Sequence, residues 1–77
     1  MKLAKLLKHI DIFQKFQIIN AMTGECITGI TYLDDGGYSD DIALYENDSV
    51  HGVAAGITND NQENVPYLII TIDNTIR

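Results

Sequence analysis

The last apolar run of the chain, PYLIITID at residues 66–73, limits the possible folds more than any other stretch. Its alternation sets Leu68, Ile70 and Ile72 against Tyr67, Ile69 and Thr71. A period of two is that of a β-strand, and one face here is wholly apolar. Such a face must be covered by a second layer. Pro66 stands at the first position of the run, where the missing N–H is tolerated. One segment has the stripe to supply the cover. Leu3, Leu6, Leu7, Ile10 and Phe13 follow the i, i+3, i+4, i+7 spacing of a helix face, with Lys2, Lys5, Lys8 and His9 on the other faces. The spacing predicts a helix over about residues 2–12, ended by Asp11 and the amide-rich FQKFQ.

Between these two elements the chain reads as β-rich. Phe16, Ile18 and Asn20 alternate with Gln17 and Ile19, and a second run covers residues 26–32. The two runs predict a hairpin, with Gly24 supplying the positive φ of the turn. Gly29 inside the second run predicts a bulge or close packing by the helix. Residues 33–41 are a break around Gly36-Gly37. Ser39 or Asp40 is placed to cap a short helical turn through Ile42, Ala43, Leu44 and Tyr45, with a short strand as the alternative. Residues 50–58 predict a strand with His51, Val53, Ala55 and Ile57 on one face. NDNQEN at 59–64 predicts an exposed loop, and 74–77 a frayed end.

The expected fold is α+β, in a single small domain over residues 1–77. An N-terminal amphipathic helix packs on a four-stranded, mainly antiparallel sheet, with a short helical turn near 40–46. A chain of 77 residues buries only about 60% of its unfolded surface, so no large enclosed cavity is expected. The far face of the sheet is left to water or a partner. Ile19, Tyr32, Tyr45 and Tyr67 are the outward candidates, and a homodimer through them is one reading.

Charge is segregated along the chain. All four lysines (Lys2, Lys5, Lys8 and Lys15) precede Phe16, and no Lys or Arg occurs from Phe16 to Ile76. Of the 11 Asp and Glu only Asp11 lies outside that stretch, which leaves ten within it and a net charge of −6 overall. Phosphate binding needs Lys and Arg, so direct nucleic-acid binding is not expected. A basic protein surface is the expected partner. The acidic body also argues against a membrane role for the lysine-bearing helix. The single cysteine, Cys26, excludes an intrachain disulfide and fits a cytoplasmic location, as does the lack of an uninterrupted apolar run near the start.

The opening MKLAKLLKHIDIFQKFQIINAMTGECI resembles the start of a loose group of small uncharacterised phage- and prophage-encoded proteins of gut Firmicutes. These open with MKLxxLLxHI, continue into a hairpin and close on an apolar strand like YLIITI. The likeness covers the helix and first hairpin, while the acidic middle and NDNQEN depart from it. It implies an accessory intracellular protein directed at a host protein, and it transfers no functional residue.

The stretch DDGGYSDD at 34–41, with Glu46 and Asp48 after it, is the candidate site. Three readings compete: a solvated turn, an acidic contact surface made of Asp34, Asp35, Asp40, Asp41, Glu46 and Asp48, and a calcium loop over 34–48. An EF-hand started at Asp35 places Glu46 at its twelfth position. It also places Gly37 and Ser39 where carboxylates or amides belong, and Asp40 where glycine belongs, so the pattern fails. Cys26, His9 and His51 lack zinc-ligand spacing. No phosphate loop, nucleophile elbow or HExxH is present, and solvated carboxylates lack the burial that tunes a general acid or base. No enzyme activity, metal or cofactor is expected. The leading expectation is a small acidic interaction protein, an inhibitor of a host defence protein being one form. The alternative is a structural or oligomerising domain.

Overall fold

The computed structural model describes residues 1–11, 13–33, 37–60 and 62–73. In chain order it holds α1 (Leu3–Leu7), β1 (Lys15–Asn20), β2 (Thr31–Tyr32), α2 (Asp40–Ala43), β3 (Ser49–Asp60) and β4 (Glu63–Asp73). The strands form one sheet in the order β2-β1-β4-β3.

The class is α+β, with two short helices. The sheet is mixed rather than mainly antiparallel, because β1 and β4 run parallel while β1/β2 and β3/β4 are antiparallel. The reason lies in β4. Its Leu68, Ile70 and Ile72 face is wholly apolar and is best covered at the centre of the sheet, between β1 and β3. Since β3 and β4 form a hairpin at one edge and β1 and β2 pair at the other, the chain passes from one edge of the sheet to the other between β2 and β3. That crossing carries α2 and, with α1, covers one face. Leu3, Leu7, Phe16, Ile18, Leu33, Ile42, Ile70 and Ile72 are the buried core there. The parallel register sets Phe16 beside Leu68, Ile18 beside Ile70 and Asn20 beside Ile72.

α1 is shorter than the spacing predicts. It ends at Leu7, after which His9 N–H and Ile10 N–H bond back only three residues, to Leu6 and Leu7 carbonyls. Phe13 therefore leaves the stripe and is 84% exposed. A helix this short is unstable alone. Burial of Leu3 and Leu7, about 1.5–3 kcal/mol each, holds it in place. Its first N–H groups also find partners, since Leu3 N donates to Asp48 O and Ala4 N to Glu46 O, each at 2.9 Å.

The second strand of the first hairpin is also reduced. Ile19 and Cys26 form an isolated bridge, and the pairing resumes only at Thr31–Tyr32. Between them the Thr28 hydroxyl accepts from Ile18 N–H at 3.2 Å and interrupts the ladder. Gly24 takes φ +76 in the turn, as expected. No side chain or backbone lies within 4 Å of a β-carbon built on Gly29, so the helix does not pack there.

The polar stretch 59–64 is largely strand and not a loop, with Asn59 paired to Asn64 and Asp60 to Glu63. Gln62 turns the chain with φ +67. Here the hairpin has run past β1, whose pairing with β4 starts at Tyr67. Both faces of this ribbon meet water, so alternation is not required of it. His51 does not share the face of Val53, Ala55 and Ile57. The register slips between Val50 and Gly52, so Val53, Ala55 and Ile57 share the face of Ile70 and Leu68 while His51 joins the opposite face. Tyr45 packs against the core instead of facing outward with Ile19, Tyr32 and Tyr67.

Candidate functional site

The segment from Tyr38 to Asp48 is built on buried anchors. Ile42 is buried, and Tyr38 and Tyr45 pack against the core. Ser39 occupies the N-cap of α2 without a side-chain cap bond, and Asp40 and Asp41 fill the first turn. Both aspartates are exposed, and the positive end of the helix favours them there. Tyr38 Oη donates to Glu46 Oε2 at 2.8 Å, tying the start of the segment to its end. That hydrogen bond, reinforced by partial burial and by the negative charge of Glu46, holds the Tyr38 phenol above its ordinary pKa.

The four described candidate carboxylates thus have different surroundings. Asp40 and Asp41 project into water. Glu46 is half-buried and engaged by Tyr38. Asp48 is only 7% exposed, with its Oδ2 enclosed, under the α1 N-terminus that its carbonyl receives. Asp34 and Asp35 lie outside the described residues. The calcium reading over 34–48 rests in part on those two residues. Among the described residues no group of three or more His, Cys, Asp and Glu comes together to hold a metal.

Because Glu46 and Asp48 receive the first turn of α1, the basic helix and the acidic segment are neighbours. Lys2, Lys5 and Lys8 are exposed on α1, and Lys15 is half-buried on β1. No helix among the described residues is long and apolar enough to cross a membrane.

Two features were not read from the sequence. His51 Nδ1 lies 3.3 Å from Asp73 Oδ1, with the side chains 63% and 46% exposed. An exposed pair of this kind contributes little. It depends on the bulge, which leaves no mark in the residue pattern. The second is the reach of β3, whose strand pairing extends past the body of the sheet.

Comparison of the chain with protein-family models, with curated proteins and with solved structures gave no match. The functional reading therefore stands on the residues and their geometry.

Proposed function

We propose that the protein is a small, non-catalytic interaction protein whose acidic body docks on a basic surface of another protein. One observation carries the reading: no Lys or Arg occurs from Phe16 to Ile76, while all but one of the 11 Asp and Glu lie there. So one-sided a charge distribution raises encounter rates with basic surfaces and repels acidic ones. Asp40 and Asp41 are the described candidates for direct contact, because they are exposed on a segment anchored by Ile42 and Tyr45. A nucleic-acid-binding groove is the fitting kind of target, with carboxylates taking the places of phosphates. The mobile-element resemblance points to a host defence protein as its owner, met in the cytoplasm.

The test is affinity capture from host lysate at low and at moderate salt, with wild type beside Asp40→Lys/Asp41→Lys. Capture of a basic protein that falls with salt, and falls more than tenfold in the variant, supports the reading. Equal capture by both proteins overturns it. The structural or oligomerising alternative is favoured by a different observation, the open edge of β3.

A further inference from the structure

We infer that the free edge of β3 is a self-pairing surface, and that two copies of the chain join antiparallel through residues 52–60 into one continuous sheet. β3 is the terminal strand of the sheet, bonded to β4 on one side. On its other side the chain's own start pairs with the first residues: Val50 N–H donates to Met1 O at 2.8 Å, and Lys2 bridges Ser49. From Gly52 onward no described residue pairs with that edge. The open run spans about 30 Å of strand.

The two edges of the β3–β4 ribbon differ in one decisive respect. The β4 edge beyond β1 carries Pro66, which has no N–H to offer a new strand, and Glu63. These are the residues with which proteins defend an edge. From Ser49 to Asn59 the β3 edge has neither, and its one carboxylate is that of Asp60, the last residue of the strand. Residues 49–59 read SVHGVAAGITN, without Asp, Glu, Lys, Arg or Pro. In a chain of net charge −6, this is a long uncharged strand on which two acidic copies can meet without juxtaposing carboxylates. Val53 and Ile57, on one face of it, remain 49% and 71% exposed.

Geometry selects the occupant. Antiparallel pairing of a strand with itself is isologous and closes on a two-fold axis. The run 52–60 pairs along its whole length only when Gly56 sits at that axis, which sets Ala55 opposite Ile57 of the second copy. The sheet's other edge, β2, is two residues long, so pairing stops at a dimer and does not propagate into a fibre.

Sedimentation equilibrium across a concentration series tests this, with Ala55→Lys as the probe, because Ala55 is exposed in the monomer and its replacement leaves the core untouched. Wild type is expected to reach twice the 8.6 kDa chain mass. The dimer should tighten with salt as repulsion between acidic copies is screened. This is the opposite salt trend from capture of a basic partner. Ala55→Lys should weaken dimerisation at least tenfold, while Asp40→Lys/Asp41→Lys should not weaken it. Hydrogen exchange on wild type, independent of any variant, should show added protection at high concentration confined to residues 52–60. A wild type that stays at the monomer mass overturns the inference, as does a dimer that Ala55→Lys leaves intact or one whose added protection falls elsewhere.

Discussion

The ring of Tyr67 lies over Gly56 across the β3–β4 pair, so close that a β-carbon on Gly56 would sit 2.8 Å from its Cε1 and Cζ. The ring fills the space that the glycine leaves on the uncovered face of the sheet. Gly56→Ala must push the ring aside, and the expected loss is about 1–2 kcal/mol. In a Tyr67→Ala background the same change should be neutral or stabilising, since alanine suits a strand better than glycine. A double-mutant cycle by urea denaturation measures the coupling, and simple additivity would contradict the contact.

Tyr38 should make stability sensitive to alkali. Its folded pKa lies above the ordinary value near 10, so the neutral phenol is the form the fold prefers. Its contribution is complete below about pH 10 and is lost as pH rises through the folded value. Titration followed by tyrosinate absorbance should show one of the four tyrosines ionising late. Tyr38→Phe should remove that late phase and flatten the alkaline fall in stability.

Core and periphery should separate sharply. Ile18→Ala and Ile70→Ala remove fully buried side chains from adjacent parallel strands and should each cost about 2–5 kcal/mol. A domain of this size has on the order of 4–11 kcal/mol to lose. Phe13→Ser and Ile57→Ala should change stability by less than about 0.5 kcal/mol. A large loss from Phe13→Ser would restore the longer helix that the leucine spacing suggests.

The carboxylates of the candidate site should likewise divide. Asp48→Lys places a cation in a buried site beneath α1 and should destabilise by several kcal/mol. Asp40→Lys/Asp41→Lys replaces a favourable interaction with the α2 N-terminus by an unfavourable one, each about 0.3–1 kcal/mol per residue. Thermal denaturation of the two proteins compares them directly.

These contrasts also show what the residue pattern could reveal. Leu68, Ile70 and Ile72 announce a strand and its buried face, and Leu3 and Leu7 announce the layer that covers it. The parallel pairing of β1 with β4 was harder to see. It follows from the passage of the chain from the β2 edge to the β3 edge, which no local spacing encodes. Phe13 fits the helical stripe, yet α1 ends at Leu7 and leaves Phe13 exposed. NDNQEN looked like a loop because strand periodicity is legible only where one face is buried. The six acidic residues were equivalent on paper. Tyr38 and the N–H groups of α1 make Glu46 and Asp48 part of the scaffold and leave Asp40 and Asp41 on the surface.

The most direct test of the central claim is the salt dependence of partner capture, measured on folded wild type and on folded Asp40→Lys/Asp41→Lys. An acidic interaction protein captures a basic partner at low salt, loses it as salt rises, and loses it more than tenfold on charge reversal. Capture that is indifferent both to salt and to those two residues would contradict the claim.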